Sequence, residues 1–274
     1  MLSDRLERLS RQVERIKRQG ERAASEGYRQ IYRNMRDELG RIFSQYDNPD
    51  LSTMTKYNRM EMLEKKVKKA VHDASVTTAR QIRSTLREVA RMTHDGTLEA
   101  VSDEVGRTIR GKLKRETITE RLQDPRTGIK LNDRLRQHRN RIITEIQEEI
   151  TRGMARGDSY RQITGSVRER CEMGAAQSQR VVRTEGHRVQ AQSTLDALDH
   201  AEAQGVVMIK RWITAEDERV RSSHQHMHGQ EVPYDDDFVN RFTGGRGPAP
   251  GMLGTPEDDI NCRCTMVVDV SALA

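Results

Sequence analysis

The sequence predicts a mainly α protein, with a long helical N-terminal region followed by a small α+β C-terminal domain. Three observations predict it. Apolar residues recur at helical spacing through the first two thirds of the chain. The 274 residues are 33% charged, 34% hydrophobic and 4% aromatic, which suits long charged helices better than one thick core. From about residue 176 the text changes to a β-branched run, a Gly- and Pro-rich stretch and a closing β-branched run.

The elements follow in order. Leu2, Leu6, Leu9, Val13 and Ile16 form a heptad seam. Gly20 and Gly27 are expected to interrupt it, and the stripe resumes, shifted, at Tyr28, Ile31, Met35, Leu39, Ile42 and Tyr46. Such a seam needs a partner, from a hairpin in this chain or from another chain. The stretch "YDNPD" at 46–50 is a break, because Pro49 biases Asn48 away from helix. A second helix runs through Met60, Leu63, Val67, Ala70, Ala74, Ile82, Leu86 and Val89, and "THDGT" at 93–97 is expected to end it. A third is expected through Leu98, Val101, Val105, Ile109 and Leu113. "QDPRTG" at 123–128 reads as a turn.

The next helix carries Leu135, Ile142, Ile143, Ile146 and Ile150, with Asn132 or Asp133 as its N-cap. Gly157 stops it, and Asp158 or Ser159 caps another. A further helix is expected from about 176 to Gly205. "VVMIKRWIT" at 206–214 reads as a strand, "VPYDDDFV" as a short extended piece and "CTMVVDV" as a closing strand. "RFTGGRGPAPGMLGTPED" between them reads as loop.

The expected organisation is therefore residues 1–175 as an elongated helical region, with a heptad-like arm and a helical bundle, and residues 176–274 as the α+β domain. Charge divides the same way. Residues 1–175 carry 38 Lys and Arg against 27 Asp and Glu, whereas 176–274 carry 10 against 15. A basic part joined to an acidic part suggests two surfaces with different partners. Phosphate attraction makes double-stranded DNA one candidate partner of 1–175. Charges mixed at nearly every turn are also what a solvated helix face shows. No run of about 18 apolar residues predicts a membrane span, and the N-terminus lacks the apolar core of a secretory signal. Three cysteines, two of them one residue apart, do not make a disulfide framework. A reducing compartment is expected, with the thiols free or metal-bound.

The chemistry-bearing residues lie near the C-terminus. His224 and His228 in "SSHQHMHG", with Cys262 and Cys264 in "NCRC", form a candidate ligand set. Neutral imidazole and thiolate suit zinc, and two of each close a tetrahedral site. Such a site would tie the turn after the first strand to the start of the last, in a unit with few large apolar residues. Against it, Cys-x-Cys is narrower than the usual zinc pair, and the other reading is two buried thiols with histidines in a polar turn. His226 would point away from His224 and His228. The deaminase pattern is missing, "TGGRGPAPG" is not a phosphate loop, and Asp258 and Asp259 make Cys262 a poor nucleophile. Trp212, the single tryptophan, is expected to anchor the core. Arg183, Glu185, Asp217 and Arg219 would cross-brace helix and turn, or stay exposed and contribute little.

Taken together, "RTE" at 183–185, W-x-T-x-x-D-x-R-V-R-x-x-H from Trp212 to His224, "HG" at 228–229 and "NCRC" from Asn261 resemble the phage Mu F-like minor head, or head-morphogenesis, proteins. The resemblance covers roughly residues 140–274. It implies a minor capsid protein of a tailed phage, bound to the portal protein in several copies around the ring. Such a protein sits in the virion, in the capsid interior or at the portal vertex, after assembly in the host cytoplasm. It assists procapsid assembly, DNA packaging or ejection, with scaffolding or major capsid protein as further partners, and it is not an enzyme. Many members have Cys-x-x-Cys where this chain has Arg221 and His224, and His-Pro where it has "DDIN". His224 thus matches a candidate ligand and Arg221 does not. The rival reading is a metal-dependent hydrolase or nuclease on the His/Cys cluster, which would need an open coordination position and a general base.

Overall fold

The computed structural model describes residues 2–46, 49–56, 58–123 and 130–273, with backbone alone for 51, 56 and 271–273. It is mainly helical, with a small antiparallel sheet near the C-terminus. The helices are α1 (Leu2–Gln45), α2 (Leu51–Lys56), α3 (Arg59–Val105), α4 (Arg115–Leu122), α5 (Leu131–Arg156) and α6 (Tyr160–Glu202). The C-terminal part follows as β1 (Val206–Ile213), α7 (Ser222–Gln225), β2 (Glu231–Pro233), β3 (Phe238–Val239), β4 (Arg246–Gly247), α8 (Pro256–Asp259) and β5 (Thr265–Leu273).

Three expected helix breaks do not occur, each for a packing reason. A Cβ on Gly27 would stand 2.2 Å from Thr78 Oγ1, so this glycine lets α1 and α3 approach closely and α1 continues. α3 runs straight through "THDGT". Thr93, His94 and Thr97 there are buried, and a Cβ on Gly96 would meet Leu9 Cδ1 at 2.7 Å. The polar string is a buried helix face rather than a loop. The two helices expected between 160 and 205 are one, α6. Gly174 inside it lies against the Tyr28 ring, where a Cβ would be 2.6 Å from Cε1.

Other boundaries fall as expected. Gly157 and Gly205 close their helices at φ +71° and +82°, the left-handed conformation that glycine adopts without strain. Gln162 Oε1 accepts from the Ser159 N–H at 2.8 Å, the backward half of a capping box at the start of α6. The third helix ends early, at Val105, and Ile109 is buried beyond it, its N–H donating to Ser102 Oγ at 2.9 Å. Asp47 and Asn48 of the first break, and residues 124–128 of the "QDPRTG" turn, lie outside the described residues.

The division at 175/176 is one of composition and charge. Packing groups the chain into two compact units, residues 20–83 with 132–179, and residues 1–19 with 84–131 and 180–274. In the first, Tyr28, Ile31, Met35, Leu39 and Ile42 of α1 pack with Leu63 and Val67 of α3, Ile142, Ile146 and Ile150 of α5, and Ile163 and Val167 of α6. The second stripe of α1 therefore finds its partners in this chain. A buried polar group sits in the same unit: Ser178 Oγ donates to Tyr28 Oη at 3.0 Å, and Tyr28 Oη lies 3.2 Å from His138 Nδ1. Burial pushes the Tyr28 phenol up to about 12.

In the other unit, Leu2 and Leu6 pack with Leu98, Val101, Leu195, Leu198, Met208 and Val268. Its sheet has the order β2-β1-β5, antiparallel throughout, with Ile209 opposite Pro233 and Ile213 opposite Thr265. Along β1, Val206, Met208, Lys210 and Trp212 face inward, the period-two pattern of a half-buried strand. Lys210 is buried at an apolar position and donates to the Pro248 carbonyl at 3.2 Å. Burial lowers its ammonium pKa against the pull of Asp235, Asp236 and Asp237.

Candidate functional site: a buried histidine–cysteine cluster

β1 ends in Trp212, which is fully buried with Met227, Phe238, Leu253, Cys262 and Cys264. Its ring meets those of His224 and Phe238 edge to face, with centroids 5.6 and 5.4 Å away. The backbone then turns through residues 214–221 into α7, a single helical turn that carries His224 inward. From the other side, Thr255 caps α8 and Pro256 starts it. Asn261 follows in the left-handed region at φ +57°, and its N–H reaches Thr184 Oγ1 of α6 at 3.4 Å. That bend delivers Cys262 and Cys264 into the interior while Arg263 stays at the surface.

The three inward groups converge. His224 Nδ1 is 3.4 Å from Cys264 Sγ and 3.8 Å from Cys262 Sγ, and one ligand atom from each lies within 4.8 Å of the others. The opposite ring nitrogen, Nε2, is 3.0 Å from Asp258 Oδ1. Asp258 is fully buried and saturated: Oδ1 also accepts from Asn240 Nδ2 at 2.9 Å, and Oδ2 from Thr243 and Thr255 at 2.6 and 2.7 Å. Burial alone would raise this carboxyl, but the bonds from Thr243, Thr255 and His224 hold it below its usual range. An ionised acceptor on Nε2 keeps the proton there and leaves the Nδ1 lone pair facing the sulfurs, the orientation a metal-bound histidine needs. Between the thiols, the Cys262 S–H bond to Cys264 makes Cys264 the more acidic, its pKa lowered and that of Cys262 raised.

The structure brings together three of the four expected ligands. His228 is elsewhere. Its Nδ1 takes the N–H and hydroxyl of Thr214 at 3.3 and 2.9 Å, and its Nε2 is 3.3 Å from Glu216 Oε1. The four-residue spacing assumed a helix running on from His224, whereas α7 stops at Gln225 and it is Met227 that turns inward. His226 stacks on the exposed Phe242, away from the cluster as expected. Asp217 pairs with Arg263 and, at 3.5 Å, with Arg219. Glu185 is buried and bonds Arg188 Nε and Nη2 at 3.1 and 2.8 Å, while Arg183 lies at the surface.

Three residues near this site, Arg188, Arg263 and His187, have no role in the sequence pattern, and Asp258 enters it only as a charge beside Cys262. Thr255-Pro256, a helix-start signal, would have placed Asp258 on a short helix, but not beneath His224. His187 is buried on α6. It also lines, with Cys264 and Thr214, a cavity of about 450 Å³ whose wall includes Thr93 and Thr97.

Comparison with known proteins adds to the geometry. Residues 144–267 match the family described as Phage Mu protein F like protein, a span that holds Arg183, Glu185, Trp212, Asp217, His224 and the NCRC turn. The chain is 26% identical over 239 residues to minor head protein GP7 of Bacillus phage SPP1, covering 86% of this chain and 77% of that one. It is 30% identical over 162 residues to the NAD(+)--arginine ADP-ribosyltransferase EFV of Enterococcus faecalis (strain ATCC 700802 / V583), covering 59% of this chain. The chain spans only 33% of the length of that transferase. No solved structure matches. Residues 144–267 thus resemble the Phage Mu protein F like family, and a phage minor head protein is among the chain's relatives.

Proposed function

We propose that this chain is a minor capsid protein of a tailed phage, which binds the portal vertex inside the head and assists procapsid assembly, DNA packaging or ejection. The observation that carries this reading is the similarity to the SPP1 minor head protein, which extends over 86% of this chain and so beyond the matched family segment. Portal protein is the primary partner in this proposal, in several copies per ring, with scaffolding or major capsid protein next. The basic residues 1–175 are its docking and DNA-facing part, and 176–274 its compact module. The apolar stripe of α1 from Tyr28 to Ile42 is already buried against α3, α5 and α6. Docking through this region therefore uses charged faces, such as the one bearing Arg29, Arg33 and Arg36, and weakens as salt rises. No helix among the described residues is long and apolar enough to cross a membrane.

In the same reading the protein is not an enzyme, and the cluster of His224, Cys262 and Cys264 holds zinc as a structural clamp. The donor set fits: a neutral imidazole fixed by a carboxylate, and two buried thiols with no disulfide between them. Bound zinc would supply cross-linking of α7 to the NCRC turn. Co-expression with the portal protein encoded beside it, followed by size-exclusion chromatography with mass determination, tests the assembly role. Co-elution at a defined ratio is expected; clean separation at both low and moderate salt removes the portal from the proposal.

A further inference from the structure

Structural zinc takes four protein ligands, and the three that converge leave one position to fill. His228 is held away by Thr214 and Glu216. Among the described residues, His187 is the imidazole that meets the cluster from the other side. It lies on α6, two residues after the "RTE" triplet, is 6% exposed, and lines the same cavity as Cys264. Its Nε2 is buried and has no hydrogen-bond partner among the described residues, although a buried polar nitrogen ordinarily finds one. The ring is held from above by the loop: a Cβ on Gly251 would stand 2.5 Å from His187 Cδ2, and Gly251 itself sits at φ +78°. His187 thus combines burial with a ring nitrogen that no other group occupies.

We propose that His187 is the fourth ligand. This rests on the zinc reading above. α6 supplies one imidazole, α7 the second, and the NCRC turn the two thiolates, closing a His2Cys2 site. Binding releases the protons of both thiols. Two thiolates and two neutral imidazoles then balance the charge of Zn²⁺, so that a neutral complex is buried where an isolated ion would be strongly disfavoured. The ligand ties the "RTE" segment of α6 directly to the C-terminal turn, next to the Asn261 to Thr184 contact already made there. His187 stands outside the set of mutually close ligand atoms and shares a cavity wall with Cys264, so closure requires its ring to move toward the cluster.

The test is anaerobic titration of the full chain, stripped of metal, with Co²⁺, read by the visible d–d bands and the thiolate-to-cobalt charge-transfer band. Wild type and His228→Gln should each bind one equivalent with the intense d–d bands of a tetrahedral centre. His187→Gln should bind more than about tenfold weaker, with weaker d–d bands as water enters the open position. His187→Cys should keep the tetrahedral bands and gain charge-transfer intensity, and it decides the matter if His187→Gln fails to fold by circular dichroism. A His187→Gln titration indistinguishable from wild type, an unchanged charge-transfer band in His187→Cys, or a loss that follows His228→Gln instead would overturn the assignment while leaving the zinc site standing. Failure of the wild type to take up Co²⁺ or Zn²⁺ would remove the zinc reading and His187 with it.

Discussion

Asp217 grips both terminal nitrogens of Arg263, the residue that separates the two cysteines. The Arg263 guanidinium, helped by the Arg219 N–H, holds the Asp217 carboxyl well below the usual carboxylate range. Both side chains are about one-third exposed, so the pair adds little to global stability. Its work is positional: it straps the NCRC turn to the turn after β1. Asp217→Asn is expected to leave the melting temperature nearly unchanged and to speed amide exchange at residues 262–264. Hydrogen-exchange mass spectrometry that finds the same protection in both proteins would dispose of the strap.

Metal removal separates the structural from the hydrolytic reading. With zinc as a clamp, chelation should lower the melting temperature by several degrees, and Cys264→Ser should show the same lowering with no further response to chelator. Differential scanning calorimetry of the two proteins with and without chelator measures this. A hydrolase would instead lose a reaction and keep its melting temperature. Glu7 and His187 are the side chains among the described residues lining the adjoining cavity that could serve a hydrolase as general base.

Glu185 and Arg188 form an ion pair with side-chain exposures of 2% and 8%, and Arg188 also donates to the Arg121 carbonyl at 3.0 Å. Removing the Arg188 guanidinium takes two charge-assisted bonds from the buried Glu185 carboxylate. Arg188→Met should therefore cost about 3 kcal/mol in denaturant unfolding. Glu185→Leu combined with Arg188→Met should recover much of that loss, because the buried carboxylate is removed together with its guanidinium. Additive losses in the double variant would contradict the coupling.

His138 gives the helical unit a defined acid limb. Burial, with a smaller push from Arg141, lowers its pKa from 6.5 to about 4. The unfolded chain therefore binds a proton here that the folded chain refuses between those two values. The neutral ring's stabilisation is complete above pH 6.5, falls away as the pH drops toward 4, and amounts to a difference on the order of 3 kcal/mol. His138→Gln should lower stability at neutral pH and flatten the slope between pH 6.5 and 4 in urea unfolding. An unchanged slope would show that another group carries it.

Local signals announced part of this structure. Gly157 and Gly205 stop their helices because a left-handed residue is written into the chain at those points. β1 and its buried Trp212 follow from a β-branched run of the right length. His224, Cys262 and Cys264 were recognisable as donors from residue type alone. Residues whose role depends on a distant neighbour were not legible. The string at 93–97 looks like a loop until Leu9 packs on Gly96. His228 looks like a ligand until α7 proves one turn long. Asp258 looked like a charge hostile to a thiolate. Three side-chain donors from Asn240, Thr243 and Thr255 instead bury it as the support of His224. His187 lacks any pattern of its own, since only the fold sets it in one cavity wall with Cys264.

The compact unit that contains the cluster draws on residues 1–19, 84–131 and 180–274, whereas the other draws on 20–83 and 132–179. During translation the second group has left the ribosome before the first is complete. Leu2 and Leu6 must wait for Leu195, Met208 and Val268 to be synthesised. Closure of that unit is a high-contact-order event, slow relative to helix formation. In the interval the nascent chain displays the apolar stripe of its first turns, a surface open to chaperones or to a neighbouring copy. Within this unit β5 and the NCRC turn are synthesised after the segments they pack against, so its closure waits for them.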